Sequence, residues 1–371
     1  MLIVTLKESD SNEKRVSITP EIAKKYLEEG YTVSIESGAG LEAGYSDDLY
    51  EKIGVNVEKK SQLLLEKADV LLSVGPPHGD SIQYLKSKVV LIGMLKPYHS
   101  EDLINHLLKS SITSFSLELL PRTTRAQIMD VLSSQSNLAG YKAVVEAASI
   151  LKRALPLMMT AAGTIPAAKV LVLGAGVAGL QAIATAKRLG AIVSAFDVRS
   201  TVKEQVESLG ATFIHVEANE KGDATGGYAK EMSENYKKAQ ANKLGQVLRN
   251  QDIVITTAQI PGKPAPILIT DEMIEEMKSG SVIVDLAAET GGNCSGTIAG
   301  QTVIKNHVTI IGPNNILSGL ASDASRLYSR NVFNFIKNLF KDGPSQISWQ
   351  DDITIATAVT HEGKLLHSLT N

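Results

Sequence analysis

A chain of 371 residues exceeds one ordinary hydrophobic core and predicts two α/β domains. With 43% hydrophobic and 21% charged residues and a net charge of −3, it is globular and lacks the basic surplus that draws proteins to nucleic acid or anionic lipid. A single cysteine, Cys294, excludes an intrachain disulfide framework and a CxxC metal site, and fits a reducing cytosol.

The opening segment, MLIVTLKESD, carries acids and no basic leader, so no signal peptide is expected. Strand-like runs follow at 2–6, 32–37, 70–74, 89–94 and 112–116. Helical patterns lie at 20–29, with Thr19 as the expected N-cap, and at 101–109. Alternating βα units of this kind predict a mostly parallel sheet covered on both faces. A helix around 137–153 then leads into a second series, with strands at 170–173, 192–196, 212–215, 253–256, 282–285 and 308–311. Helices are expected over 229–249 and over 271–278, the latter capped by Thr270. Six strands with intervening helices match the two mononucleotide-binding halves of a Rossmann domain.

The charge-free run 170–186 is shorter than the roughly 20 residues that span a bilayer, and glycines interrupt it, so no transmembrane segment is predicted. After Gly312 a helical stretch is expected at 319–340, then a β-like tail at 353–359 that returns to the first domain. The predicted architecture is α/β, with two doubly wound Rossmann-like domains, parallel sheets and a cleft between them. The expected domains are 1–136 plus 319–371, and 137–318.

The strongest motif is Gly174-Ala-Gly176-Val-Ala-Gly179 behind the aliphatic run Lys169-Val-Leu-Val-Leu. This is a GxGxxG turn in the strand–turn–helix setting it requires. Gly174 allows the tight turn, Gly176 lets backbone approach a pyrophosphate, and Gly179 lets helix pack on strand. The helix N-terminus offers free N–H groups to the phosphates. Asp197 lies 18 residues past Gly179 at the end of the next strand. An acid there accepts from ribose hydroxyls and disfavours a 2′-phosphate, so the predicted cofactor is NAD(H). Arg199 pulls the other way, since a nearby arginine serves NADP.

Two loops carry further polar groups. In 121–137, Arg122, Arg125, Gln127, Asp130 and Ser133 cluster between apolar runs. Arginine braces a phosphate or carboxamide, and Gln and Ser orient an amide. The same pattern equally fits a helix-capping loop in which Asp130 pairs with Arg122 or Arg125. The second loop, 221–232, holds Gly226, Gly227, Tyr228 and Met232. It reads either as a mobile lid or as an ordinary surface loop. The seven histidines show no metal-ligand spacing, Cys294 has no base partner, and Met158 and Met159 read as packing residues. No metal site is predicted.

At RAQIMDVLSSQSNLAGY, MMTAAGTIPAAKVLVLGAGVAGLQAIATAKRLGA, GGYAKEM and ITTAQIPGKPAPILIT the chain resembles the NAD(H)-binding component, domain I, of proton-translocating nicotinamide nucleotide transhydrogenases. The resemblance covers essentially the full length. Alanine dehydrogenases are wider relatives, through Glu13-Lys-Arg15-Val-Ser-Ile-Thr-Pro20. It implies that Arg122, Gln127, Asp130 and Ser133 meet the nicotinamide half of the cofactor, the first three as the catalytic set. It also implies cofactor contacts at Val177, Asp197, Val198, Arg199, Gly227, Gln240, Thr257 and Ala258, with Tyr228 in a mobile lid. One departure is Gln259, where a leucine is expected, which bears on adenine and ribose packing.

The resemblance further implies a homodimer, docked peripherally on the cytoplasmic face to an NADP(H)-binding domain and a membrane proton-channel domain. Hydride then passes between NAD(H) here and NADP(H) on the partner. The alternatives are an alanine dehydrogenase-like oxidoreductase and a non-catalytic NAD-binding module. Against the former, Gly75 and Lys96 stand where alanine dehydrogenases carry a lysine and a histidine.

Overall fold

The structure is a computed structural model and describes residues 1–78, 80–216, 233–260, 263–343 and 346–367. The chain divides into two compact units, Met1–Gln135 with Leu317–Asn371, and Ser136–Ile316.

Short aliphatic runs such as Val70–Leu72 and Val90–Gly93 are buried along their whole length, as strands covered on both faces must be. In the first unit they belong to a sheet running 56–58, 32–36, 2–5, 70–72, 90–93, 113–116, all parallel. Numbered along the chain this is the order 3-2-1-4-5-6 of a doubly wound fold. The strand Asn56–Glu58, absent from the sequence expectation, is a polar edge strand with little burial to announce it. The helix Ala321–Leu339 packs its apolar face on this unit through Tyr328, Val332, Phe335 and Ile336.

The tail differs from expectation. Where the β-branched run predicted a strand over 353–359, residues Asp352–Thr357 form a helix, and strand begins only at Ala358–His361. The cause is Asp351, whose carboxylate accepts from the N–H groups of Ile353 and Thr354 and so caps a helix start. The strand then pairs antiparallel with Thr113–Ser116.

The second unit repeats the arrangement in the order 212–213, 192–196, 169–173, 253–256, 282–285, 308–312, with Gln301–Lys305 added antiparallel at the edge. The α/β, doubly wound expectation is met in both units. The Val131–Ile150 helix starts six residues earlier than the 137–153 expectation because Asp130 caps it, as described below. The helix expected over 229–249 is described as Glu234–Leu248, and Ser233 caps it by accepting from Tyr236 N. Thr19 and Thr270 occupy N-cap positions, yet neither hydroxyl makes a capping bond. The expected helix 271–278 shortens to Asp271–Glu275.

Met158 and Met159 correct another reading. They lie in an antiparallel hairpin, Met158–Thr160 with Gly163–Ile165, and are 44% and 79% exposed rather than packed. Among the described residues, no helix is long and apolar enough to cross a membrane.

Candidate dinucleotide site

The glycine turn joins the strand Lys169–Leu173 to the helix Val177–Arg188. Each glycine has a distinct steric reason. Gly174 sits at φ +96°, and a Cβ there would lie 2.4 Å from Thr257 Oγ1. A Cβ on Gly179 would lie 1.8 Å from the Gly174 carbonyl oxygen, a backbone clash with no way out. Around Gly176 nothing lies within 4 Å of the same construction. The first two glycines are therefore demanded by the protein itself, while the space beside Gly176 is open. That is the cradle a pyrophosphate needs, at a helix N-terminus whose N1 residue, Val177, is 42% exposed. The residues present fit a dinucleotide.

Asp197 closes the back of the turn. It is 8% exposed and accepts from Ala175 N at 2.7 Å, tying the end of the strand Ile192–Phe196 to the glycine turn. Arg199 lies on the same carboxylate, donating Nε to Oδ1 at 2.9 Å and Nη2 to Oδ2 at 2.7 Å, with its own N–H on Oδ1 at 2.9 Å. Acid and base are thus one bidentate unit, and a ribose hydroxyl must share or displace an Arg199 bond to reach Asp197. Between them Val198 is half-buried against the core.

At the end of the strand Ile253–Thr256, Thr257 Oγ1 donates to the carbonyls of Gly174 at 3.1 Å and Leu173 at 3.3 Å. Its hydroxyl braces the glycine turn. Ala258 has both backbone polar groups on Asn293, with its N–H donating to Oδ1 at 3.0 Å and its carbonyl accepting from Nδ2 at 2.8 Å. The fully buried Asp285 fixes Asn293 in turn by accepting its N–H at 2.7 Å, along with the hydroxyls of Thr256 and Thr297. Asn293 and Asp285 are absent from the sequence expectation. Their only signal is an acid ending an aliphatic strand and an Asn after paired glycines. Gln259 is exposed and donates to the Leu286 carbonyl at 3.1 Å, so the departure from leucine is accommodated at the surface. Gln240 is buried on the inner side of the Glu234–Leu248 helix beside Tyr236 and Leu244. Gly227 and Tyr228, with the rest of the 221–232 loop, lie outside the described residues. Cys294 is buried, which pushes its thiol up to about 11 and keeps it unreactive.

In the first unit, the 121–137 segment folds as a short 3-10 turn, Gln127–Met129, followed by the Val131–Ile150 helix. Asp130 caps that helix, accepting Ser133 N at 2.9 Å and Ser133 Oγ at 2.5 Å. The capping alternative therefore holds for Asp130 and Ser133, but its proposed ion pair does not form with Arg125. Arg125 instead donates to Asp351 at 2.5 Å and to Asp352. Gln127 and Arg122 are exposed, whereas Ala126 and Met129 are 1% and 4% exposed and anchor the turn. Nearby, Arg15 is buried with Nε and Nη2 on Glu13, at 2.8 and 2.6 Å, and Nη1 on Gln135 at 2.8 Å.

The chain matches the family models described as alanine dehydrogenase/PNT, N-terminal domain, over residues 4–139, and alanine dehydrogenase/PNT, C-terminal domain, over residues 143–368. It is 46% identical to the first part of NAD(P) transhydrogenase subunit alpha of Rickettsia prowazekii (strain Madrid E), covering 99% of this chain and 96% of that one. The crystal structure of a transhydrogenase from Sinorhizobium meliloti superposes with a TM-score of 0.87 at 45% identity, covering 100% of both chains. Alanine dehydrogenase 1 of Staphylococcus aureus (strain Mu50 / ATCC 700699) is more distant, 28% identical over 79% of this chain and 74% of its own. The chain belongs to the alanine dehydrogenase/PNT family of nicotinamide nucleotide-binding proteins, among its NAD(P) transhydrogenase alpha subunits.

Proposed function

We propose that this chain is the NAD(H)-binding component of a proton-translocating transhydrogenase. Hydride passes directly between NAD(H) held here and NADP(H) held on a partner domain, coupled to proton movement in a separate membrane domain. The observation that carries the reading is the glycine turn, open beside Gly176 and closed behind by Asp197, a geometry suited to a dinucleotide whose ribose meets an acid.

The dinucleotide, when bound, supplies the nicotinamide C4 between which and a second ring the hydride moves. Everything left to this chain is alignment and exclusion of water. Val177 N–H and its neighbours at the helix start take the pyrophosphate, and Asp197 with Arg199 takes the adenosine ribose. Thr257, Ala258, Val198, Gln240 and Gln259 shape the remaining cofactor surface. Gln127 orients the carboxamide by donating and accepting at once, and Arg122 braces it. Asp130 and Ser133 fix the helix start beside them. Gly227 and Tyr228 add cofactor contacts.

A self-contained amino-acid oxidation needs a cation for the carboxylate and a proton acceptor for the amine. In the first unit the buried Arg15 has Nε, Nη1 and Nη2 each donating to Glu13 or Gln135, which ties it to the protein's own groups, and Gly75 offers no side chain. The exposed apolar hairpin, with Leu157 at 57% and Met159 at 79%, supports a homodimer. Attachment at the cytoplasmic face is through partner subunits, since a net charge of −3 offers no attraction to anionic lipid.

The test mixes the purified chain with an NADP(H)-binding partner domain and follows reduction of an NAD⁺ analogue by NADPH. Turnover that needs both proteins is expected, with no NAD⁺ reduction by L-alanine. Alanine-dependent reduction without a partner would favour a dehydrogenase. NADH binding without exchange in the presence of a competent partner would leave a binding module only.

A further inference from the structure

The helix Ala321–Leu339 carries Asn331, Asn334 and Asn338 at i, i+3 and i+7, within about 60° of one another around its circumference. All reach the segment that bears Gln127. Asn331 Nδ2 donates to the Ile128 carbonyl at 2.8 Å, and Asn334 Nδ2 approaches the same oxygen at 3.4 Å. Asn338 accepts from Arg125 Nη1 at 3.3 Å and donates to Asp351 at 3.0 Å. The other end of the Asn331 amide accepts from Ser134 Oγ at 2.7 Å.

This polar stripe is not what packing alone calls for. Its neighbours Val332, Phe335, Ile336 and Leu339 are buried and apolar, and Asn331 itself is only 8% exposed. Burying an amide there costs free energy unless both its ends are bonded, and both are. The two bonds join the short turn, at Ile128, to the first turn of the helix that follows it, at Ser134; in the turn Ala126 and Met129 are inserted while Gln127 and Ile128 remain outside. A polar chain continues inward: Gln135 Nε2 donates to Ser134 Oγ at 3.3 Å and to the Ala324 carbonyl at 3.1 Å, and Gln135 accepts from Arg15 at 2.8 Å. The turn is thus tied to rigid helix on one side and to a buried ion pair on the other.

We propose that Asn331 is a positioning residue for hydride transfer, holding the Ile128 carbonyl and the Ser134 hydroxyl together so that Gln127 is presented in one fixed direction. The inference rests on the reading of Gln127 as the residue that orients the nicotinamide. Asn334 is the weaker second tether. Both bonded ends of the Asn331 amide are taken by Ile128 and Ser134, so its effect on the reaction runs through Gln127, and misplacement of that kind costs rate far more than affinity.

The experiment measures NADPH-driven reduction of an NAD⁺ analogue, with the partner domain present, for wild type, Asn331→Ala, Gln127→Asn and the double variant. NADH affinity is measured on each chain alone by fluorescence. Asn331→Ala is expected to slow transfer about tenfold or more while NADH affinity stays within about twofold. In the Gln127→Asn background the same change is expected to add nothing. Asn331→Ser, a small neutral side chain too short to bridge Ile128 and Ser134, is expected to be slow as well, and it carries the test if the alanine variant does not fold. Wild-type rates in a folded Asn331 variant, or a loss that multiplies with that of Gln127→Asn, would overturn the proposal. Wild-type transfer by Gln127→Asn itself would instead remove the reading beneath it.

Discussion

The glycine turn at 174–179 and the Gln127 turn are the two short segments proposed to meet the dinucleotide, and they are held in opposite ways. The glycine turn is shaped by what is missing: two positions have no room for a Cβ because backbone and a threonine hydroxyl fill the space. The Gln127 turn is shaped by what is tethered, through amides roughly 200 positions away in sequence. Steric exclusion is written into six adjacent residues, whereas polar tethering is written across the chain. The first should fail abruptly on substitution and take the fold with it. The second should fail gradually and take the reaction first.

The largest effect is expected from Gly179→Ala. Its Cβ, 1.8 Å from a backbone oxygen, should cost about 3 kcal/mol or more in urea unfolding and abolish NADH binding. Gly176→Ala sharpens the contrast. With nothing within 4 Å, stability should change by less than about 1 kcal/mol, while NADH affinity drops at least tenfold, as a titration would show. Equal destabilisation by the two alanines would break the distinction between protein-facing and ligand-facing glycines.

On the tethered side, Gln127→Asn should slow hydride transfer far more than it weakens NADH binding, because the side chain is exposed and holds no part of the fold. Equal losses would contradict an orienting role. Asp197→Ala lies between the two modes, since its carboxylate both braces Ala175 N and engages Arg199. It should narrow discrimination between NADH and NADPH by about tenfold, with Arg199 freed to meet a 2′-phosphate. Unchanged selectivity would show that the pair serves structure alone.

The smallest effect concerns pH. Glu8 accepts from the N–H groups of Val74 and Gly75, at 2.7 and 3.1 Å. Desolvation in its pocket, with Glu13 adding, pushes it up to about 7 despite those bonds and Arg15. The folded chain therefore keeps a proton between about 4.5 and 7 that the unfolded chain has released, so this group's contribution to stability falls as pH rises through that window. Asp351 acts outside it: burial opposes ionisation, but Arg125, Lys341 and Asn338 hold its carboxyl well below the usual range, so its contribution is lost only on stronger acidification. Glu8→Gln should flatten the fall in Tm between pH 4.5 and pH 7.5. An unchanged slope would refute the assignment.

The same contrast explains how much was legible in the sequence. Strands such as Ile192–Phe196, Ile253–Thr256 and Val282–Asp285 matched expectation to the residue, because continuous aliphatic runs have few other places to go. The glycine turn and Asp197 were legible for the same local reason. The polar edge strands Asn56–Glu58 and Gln301–Lys305 were not, since half-exposed edges carry no hydrophobic period. The tail departs from its expected strand because a single capping carboxylate, Asp351, outweighs a β-branched run. Asn293 and Asn331 were invisible because an asparagine's value lies in which distant carbonyl it meets.

Direct passage of hydride from one nicotinamide to another is the central proposal for this chain. It is tested most directly by supplying NADPH deuterated at the transferred C4 position to the chain and its NADP(H)-binding partner in ordinary water, then weighing the NADH produced. Full retention of the label in NADH is the predicted result. Its loss to solvent, or its appearance on a third molecule, would contradict direct transfer.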